Sequence, residues 1–212
     1  MVNYTASISL DGFTAGPDQS VDKPLGVGAR QLHDWIQELA VWRTAHGMDG
    51  GLESPSSAVL KDAGANLGAY VMGRNMFGGG PGPWADEPWN GWWGENPPFH
   101  LPVFVVTHHA RQALECDGGT RFTFVTDGVE AALAQAHEAA EGRDVMIAGG
   151  STVARQCLAA GLVDELRLDL VPVLLGGGVR LFEDGDMPVD LEQISLIEGR
   201  GVTHLAYRVS AR

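Results

Sequence analysis

Positive charge is scarce in this sequence. It contains 14 lysine and arginine residues against 27 aspartate and glutamate residues, which gives a formal net charge of −13. Proteins that bind nucleic acid or anionic membranes usually present a basic face. We therefore expect neither nucleic acid nor a membrane as a partner. An anionic small molecule would have to be held by local groups, such as a helix N-terminus and a few arginines.

Cysteines and long apolar runs are scarce as well. The two cysteines, Cys116 and Cys157, lie far apart in the chain and do not indicate a disulfide framework. No apolar run reaches the ~18–20 residues that a membrane span needs. The first four residues do not begin a basic region followed by an apolar stretch, so no secretion signal is expected. These features together predict a reduced, cytoplasmic protein.

Strands and helices alternate along most of the chain and are followed by strands alone. This order predicts the α/β class, with a mixed, mostly parallel sheet, helices on both faces and a C-terminal antiparallel hairpin. Residues 1–212 are expected to form one domain. Strands are predicted at residues 2–10, 69–72, 103–107, 122–126, 145–148, 166–175, 191–198 and 202–209. Helices are predicted at residues 29–46, 56–62, 128–141 and 152–160.

One long segment, residues 78–102, shows neither the helical nor the strand spacing of apolar residues. We call it the tryptophan segment, because it holds four tryptophans together with six prolines and several glycines. A loop of this length inside a domain is usually functional or disordered. The large apolar area of four indole rings argues against disorder, since it needs a surface to pack against.

The pattern with the most chemical content is a buried strand that runs into Gly149, Gly150, Ser151 and Thr152 at the start of a helix. Glycines let a phosphate approach the backbone, and the free N–H groups of a helix start point toward it. The spacing matches neither the dinucleotide-binding glycine motif nor the lysine-containing phosphate loop. A tight turn without a ligand is an equally good interpretation of these residues alone.

Two further turns follow predicted parallel strands. Gly73 and Arg74 end one strand, and the arginine would suit a phosphate or simply face solvent. Thr107 and His108 end another, where they would contact a phosphate or ribose or form a solvated strand end. A metal at His108 is disfavoured because no carboxylate or cysteine stands at a supporting spacing. Since open α/β sheets bind ligands at the carboxyl ends of their strands, the three turns favour one shared site.

Asp11 ends the first strand just before Gly12. An aspartate followed by glycine is a common turn former, and this is one interpretation. The other is a catalytic carboxylate that lies near the substrate and hydrogen-bonds an amino-heterocycle. Both interpretations stay open from the sequence.

The motifs together resemble the dihydrofolate-reductase-like family. The branch they are most similar to includes the reductase (C-terminal) domain of the bifunctional riboflavin-biosynthesis deaminase–reductase. The resemblance covers nearly the full length. It rests on SLDG at 9–12, MGR at 72–74, AGGST at 148–152, AGLVDE at 160–165 and PVLLGGG at 172–178.

The resemblance implies a three-layer fold with an eight-stranded sheet, NADPH as hydride donor and a homodimer. It places the nicotinamide beside Ala6 and the substrate pocket at Asp11. The remaining predicted cofactor residues are Gly73, Arg74, Thr107 and His108 at the adenosine phosphate, and Gly149, Gly150, Ser151 and Thr152 at the diphosphate.

Two departures from the family pattern bear on the substrate. The carboxylate that holds the pterin in dihydrofolate reductases is replaced here by Gln31 or Leu32, which argues against folate reduction. The zinc-binding deaminase signature is absent, and no basic cluster for a ribose phosphate stands outside the cofactor set. The tryptophans offer an apolar substrate pocket instead, to which we assign Trp35, Trp84 and Trp92 in addition to Asp11.

The sequence therefore predicts an NADPH-dependent reductase that transfers hydride to a C=N, C=C or C=O bond of a small molecule, with a heterocycle as one candidate. The proton would come from Asp11 or from a bound water, and no metal is expected. One alternative is a 5-amino-6-(5-phosphoribosylamino)uracil reductase of riboflavin biosynthesis. Two others, a non-catalytic NADP-binding sensor and a flavin-binding protein, also remain open.

Overall fold

A computed structural model describes residues 1–80, 82–185 and 188–211 of the chain. Position 81 of the tryptophan segment and positions 186, 187 and 212 lie outside the described residues. Eleven strands are found within the described ranges. They are β1 (Val2–Ser9), β2 (Phe13–Ala15), β3 (Leu67–Gly73), β4 (Pro102–Val106), β5 (Leu114–Glu115), β6 (Arg121–Val125), β7 (Asp144–Gly149), β8 (Glu165–Val171), β9 (Val179–Arg180), β10 (Val189–Gly199) and β11 (Val202–Ala211).

The helices are short except where they cover the sheet. They are α1 (Asp34–Gln37), α2 (Ala40–Ala45), α3 (Pro55–Gly64), α4 (Arg74–Phe77), α5 (Gly128–Ala140) and α6 (Ser151–Ala159), with 3₁₀ turns at Ala29–His33 and Asp117–Gly119. Among the described residues, no helix has the length and apolar character that crossing a membrane requires.

The main sheet contains nine strands within the described residues, in the order β10-β11-β8-β1-β7-β3-β4-β6-β5. The six strands from β8 to β6 run parallel, whereas β10 and β11 form the predicted antiparallel hairpin at one edge. The mostly parallel α/β fold is confirmed, but the prediction of eight strands is wrong. The ninth, β5, pairs antiparallel with β6 over two residues, which is too short to leave a period in the sequence.

Two predicted elements are shorter than expected. The strand predicted at 166–175 ends at Val171, because Pro172 has no N–H to continue the ladder. The helix predicted at 29–46 is broken at Leu39, which has an extended backbone. Leu52 forms the backbone hydrogen bonds that a continuous helix would otherwise make there. Its carbonyl accepts the Ala40 N–H, and its own N–H donates to the Glu38 carbonyl.

Side chains from both faces of the sheet are buried, and this divides the core into three parts. On one face, α5 and α6 pack on β1, β3 and β7. On the other face, the 3₁₀ turn and α1 cover the β8–β11 end. The tryptophan segment covers the β3–β4–β6 end of the same face, where its rings surround Phe77 and Phe122. The expectation that the tryptophans pack against the core is thereby confirmed.

Candidate functional site

One cavity of about 810 Å³ lies at the carboxyl ends of β1, β3, β4 and β7. This volume is in the range of cofactor and substrate pockets. Its wall includes all nine of the predicted cofactor residues, namely Ala6, Gly73, Arg74, Thr107, His108, Gly149, Gly150, Ser151 and Thr152. Residues separated by more than 140 positions thus meet at one sheet edge, because parallel strands end on the same side.

The turn between β7 and α6 presents its backbone to this cavity. Gly150 is the N-cap of α6, and its carbonyl accepts the N–H groups of Val153 and Ala154. The N–H groups of Ser151 and Thr152 precede the first intrahelical bond, so they are available to a ligand. Gly149 has a φ of +151°, and a Cβ there would lie 2.8 Å from the Met76 sulfur. The turn therefore depends on glycine and can bind an anion through its amides and the helix dipole.

The Ser151 hydroxyl contributes less than the sequence suggested. It is almost fully buried and shares a 2.6 Å hydrogen bond with the Thr14 hydroxyl. It also lies within hydrogen-bonding reach of Tyr4, whose pKa is raised well above its usual value by burial. The hydroxyl thus ties β1 and β2 to the helix start, and Ser151 offers a ligand its backbone N–H.

Arg74 is held in place by its own neighbours. Its Nε and Nη2 donate to the carbonyls of Gly78 and Gly79 at 3.0 and 3.3 Å, and the guanidinium carbon lies 3.2 Å from the centre of the Trp84 ring. The remaining nitrogen, Nη1, is buried and has no partner in the described structure. Burial, and then the nearby Arg111, lower the pKa of Arg74. A phosphate at this end of the cavity would compensate both the burial and the repulsion.

The neighbouring positions add polar groups to the same end. The guanidinium carbon of Arg111 lies 4.8 Å from the ring centres of both Trp84 and Phe124. Thr107 is buried and its hydroxyl accepts the His109 N–H, while His108 is exposed. In the described part of the chain, neither Arg74 nor Arg111 forms an ion pair with a carboxylate. The end of the cavity near Arg74 is therefore locally positive in an acidic protein.

Asp11 does not line the cavity, in contrast to the prediction. Its carboxylate accepts hydrogen bonds from the Ser9 hydroxyl and from the N–H groups of Leu175 and Gly176. The Ser9 hydroxyl, with help from the two amides, lowers the pKa of Asp11 to about 2. Asp11 is thus ionised at neutral pH and cannot serve as the acid. It acts as the turn former of the alternative interpretation, tying the end of β1 to the loop after β8.

The three tryptophans assigned to the substrate pocket separate in the structure. Trp35 and Trp92 line the cavity, whereas Trp84 does not. Trp84 instead lies between Arg74 and Phe124, and its Nε1 donates to the His109 carbonyl at 2.9 Å. Trp92 is fixed in a similar way by a 2.9 Å bond from its Nε1 to the Met76 carbonyl. Trp84 therefore supports Arg74 from outside the cavity, and its assignment to the substrate pocket was wrong.

The other end of the cavity contains polar residues that the sequence analysis missed. Its wall includes Thr5 and Ser7 of β1, His33 of the 3₁₀ turn and Asp169 of β8. Burial lowers the pKa of His33, which makes the ring neutral near pH 7, and its Nδ1 is buried without a partner in the described residues. A signal for Asp169 was present: alternation along β8 puts this carboxylate on a core-facing side, where a charge requires a partner.

These residues fit a dinucleotide cofactor. The unpartnered Nη1 of Arg74 and the free amides of Ser151 and Thr152 offer two anion sites on one cavity wall. The backbones of the two turns are close, since a Cβ on Gly73 would be 3.9 Å from the Gly150 nitrogen. Within the described ranges, no group of three metal-binding side chains is brought together.

Known proteins share this architecture. A putative riboflavin biosynthesis protein from Shewanella sp. PV-4 superposes with a TM-score of 0.61 at 19% identity, over 99% of this chain and 98% of that protein. A dihydrofolate reductase from Enterococcus faecalis, complexed with NADP(H), superposes with a TM-score of 0.54 at 15% identity, over 99% and 96%. At these identities the likeness shows the shared dihydrofolate-reductase-like fold.

Sequence comparison adds a relative and a family. An uncharacterized protein of Bacillus subtilis (strain 168), YyaP, is 34% identical over 67 residues, which span 31% of this chain and 36% of that relative. The family model described as the RibD C-terminal domain matches residues 1–204. This match extends over nearly the whole chain and agrees with the fold and with the motifs at the sheet edge. The chain therefore belongs to the RibD C-terminal domain family.

Proposed function

We propose that this protein is an NADPH-dependent reductase of a small, heterocyclic molecule. The observation that carries the proposal is the single cavity that joins two anion sites, at Arg74 and at the start of α6, to a second end lined by Trp35, His33 and Asp169. Membership of the RibD C-terminal domain family and the NADP(H) complex of the Enterococcus faecalis reductase support it. The cofactor, when bound, supplies the hydride.

Residues at one end of the cavity would bind the phosphates of the cofactor, and residues at the other end would surround the acceptor. The amides of Ser151 and Thr152 would bind the diphosphate, and Arg74 would bind the adenosine ribose phosphate. Ala6 lies on β1 and lines the same cavity, and the nicotinamide would meet the acceptor beside it. Trp35 would exclude water from the acceptor and pack against a flat ring. Trp92 lies at the end of the cavity near Arg74, beside Met76 and Gly78.

Arg74→Ala is expected to remove the preference for NADPH over NADH. A charge-assisted hydrogen bond contributes about 1.5–3 kcal/mol, so the ratio of the two dissociation constants should fall about 10- to 100-fold. Titration of NADPH and NADH fluorescence measures both constants. Their ratio is insensitive to partial unfolding, because an unfolded fraction weakens the apparent binding of both cofactors alike.

Arg74→Lys is the matched variant for this experiment, and Arg121→Ala is the control at an exposed site outside the cavity. Lysine keeps the charge but loses the planar fork, so its ratio should lie between those of the wild type and the alanine variant. An unchanged ratio in Arg74→Ala would contradict the assignment of the phosphate site. Absence of NADPH binding by the wild-type protein would contradict the proposed function itself.

The acceptor distinguishes this proposal from its rivals. A 5-amino-6-(5-phosphoribosylamino)uracil reductase would oxidise NADPH when supplied with that compound. Family membership favours this candidate, but the second end of the cavity has no arginine or lysine side chain in its described wall to bind the ribose phosphate. A non-catalytic sensor would bind NADPH but would not oxidise it in the presence of any carbonyl, imine or pteridine compound. A flavin-binding protein would purify yellow.

We also propose that the protein forms a homodimer through β10. This edge strand exposes Leu191, Ile194 and Leu196, with exposed fractions of 42%, 40% and 58%. Unpaired, apolar edge strands are usually covered by a second copy or by another element. Leu196→Lys is expected to shift the protein to a monomer in light scattering after gel filtration. Leu174→Lys, at an exposed leucine in the loop after β8, should leave the mass unchanged, and a monomeric wild type would contradict the proposal.

A further inference from the structure

Asp169 is a buried carboxylate whose position the cofactor does not explain. It lies within β8, is only 8% exposed and lines the second end of the cavity. In the register of the sheet it stands between Ser7 of β1 and His204 of β11. A carboxylate in such a position is costly unless it is paired, so its partners indicate its role.

The partner of Asp169 is His204, which is itself held by a serine. The Asp169 Oδ1 lies 2.6 Å from the His204 Nδ1, and the His204 Nε2 lies 2.8 Å from the Ser56 hydroxyl. His204 is 4% exposed and Ser56 is 2% exposed. Gly199 makes room for this contact, because a Cβ there would lie 2.3 Å from the Ser56 oxygen.

Which member of this hydrogen-bonded chain reaches the cavity decides its chemical role. Ser, His and Asp are bonded in the order of a hydrolase triad, but the serine is the member farthest from the cavity and does not line it. A buried hydroxyl that no substrate can reach is not a nucleophile. The carboxylate is the member that lines the cavity, so the chain of bonds fixes Asp169 where a ligand can reach it.

The surroundings of the pair isolate it from other charges. The Trp35 ring meets the His204 ring edge-on, with centres 5.0 Å apart, and covers it. Across the cavity end stands His33, which burial keeps neutral near pH 7. Arg167, on the same side of β8, is already paired with Glu165 and Asp62, and Asp34 is exposed. The charged groups nearby are thus paired or exposed, and His204 is the hydrogen-bond partner of the Asp169 carboxylate.

We propose that Asp169 is the catalytic acid of this site, that His204 and Ser56 are its positioning residues, and that the acceptor is a C=N bond of a planar heterocycle. The proposal rests on the proposed function, because it requires a hydride donor at the other end of the cavity. The neutral His204 would donate from Nδ1 to one Asp169 oxygen and accept the Ser56 proton at Nε2. The second Asp169 oxygen would then carry the proton that faces the substrate.

The step balances as follows in atoms and electrons. The O–H bond of Asp169 breaks and an N–H bond forms on the C=N nitrogen, which becomes a cationic iminium held by the Asp169 carboxylate. The iminium carbon gains a hydride with its electron pair from the dihydronicotinamide, forming a C–H bond. The C=N π pair becomes the lone pair of the product amine, and water returns one proton to the Asp169–His204 pair.

Benzamidine is the probe, because its planar amidinium imitates the cationic iminium and stays charged at neutral pH. Calorimetric titration should show binding to the wild type and about 10-fold or more weaker binding to Asp169→Asn, since a charge-assisted hydrogen bond is lost. Benzamide, the neutral analogue, should bind both proteins alike. Asp34→Asn removes a nearby charge outside the cavity wall and should bind benzamidine as the wild type does. Equal affinity of Asp169→Asn and the wild type would overturn the proposal.

A second pair of variants tests the positioning role of His204 in a way that a purely structural role would not affect. His204→Asn keeps an N–H donor beside Asp169, whereas His204→Leu fills the space without a donor. Benzamidine should bind His204→Asn about 10-fold more tightly than His204→Leu, and benzamide should bind both variants alike. Equal benzamidine affinity of the two variants would overturn the role of His204.

The two proposals fail in different ways. NADPH fluorescence titration of Asp169→Asn should give the wild-type dissociation constant, because Asp169 lies at the opposite end of the cavity from the phosphate groups. If the wild type binds benzamidine through Asp169 but does not bind NADPH, the proposed function fails and the carboxylate site stands. If it binds NADPH but not benzamidine, the assignment of Asp169 fails and the cofactor site stands.

Discussion

Gly150→Val is expected to abolish NADPH binding while leaving the fold intact. Gly150 has a negative φ, and a Cβ built on it meets no atom within 4 Å, so the free protein can accept a side chain there. That open space is the cavity in front of the α6 amides, where we place the diphosphate. Displacing it would lose two charge-assisted hydrogen bonds of about 1.5–3 kcal/mol each, which predicts at least about 100-fold weaker binding.

The measurement is a fluorescence titration of NADPH, accompanied by a thermal melt of each variant. Gly177→Val is the matched control, since it also has open space around its Cβ and lies outside the cavity wall. It should bind NADPH as the wild type does. Gly149→Val is a poorer test, because its φ of +151° and the contact with Met76 would disturb the turn itself. If Gly150→Val binds NADPH normally, the diphosphate does not lie at the start of α6.

Phe77→Ala is expected to give the largest loss of stability, about 3–5 kcal/mol, as is typical of a phenylalanine removed from a core. Phe77 is fully buried, and its ring centre lies 5.1 Å from those of Phe122 and Phe124 and 6.0 Å from that of Trp84. Its carbonyl also accepts the Trp89 Nε1 proton. The variant would leave a cavity under the tryptophan segment. Because Trp84 supports the Arg74 guanidinium, NADPH binding should weaken too.

Chemical denaturation measures the free energy of unfolding of this variant. Phe182→Ala, at a phenylalanine that is 42% exposed, is the control and should change stability by less than about 0.5 kcal/mol. Phe77→Leu refills most of the space and should cost less than about 1.5 kcal/mol. A loss below 1 kcal/mol in Phe77→Ala would mean that the tryptophan segment does not depend on this ring.

The sequence by itself determined the class of the fold and one wall of the site. Strands and helices with strong periods, such as β3, β7 and α5, were predicted within a few residues, because burial of one face leaves a regular pattern. The glycines at 149 and 150 and the arginine at 74 marked the proposed anion sites, because backbone approach and charge need those residue types. Parallel strands then require these turns to meet at one edge.

Only the tertiary structure decided what the remaining polar groups do. Asp11 followed a turn signal that suits either role, and the bonds from Ser9, Leu175 and Gly176 settled it as a turn former with a pKa of about 2. The break at Leu39 was set by pairing with Leu52, which lies 13 positions away. Local propensity carries no information about such partners.

The second end of the cavity shows most clearly that the sequence does not reveal partners that are distant along the chain. Ser56, Asp169 and His204 are separated by 113 and 35 positions, yet they form one hydrogen-bonded chain that ends in the cavity. No spacing in the sequence marks it, because its members come from a helix and two strands whose neighbours are fixed by the order of the sheet. The sequence specifies how a hydride donor would be held, through backbone geometry that is local. Alternation along β8 marks Asp169 as a core-facing carboxylate, but its partners depend on long-range packing, so its role became visible only in the folded protein.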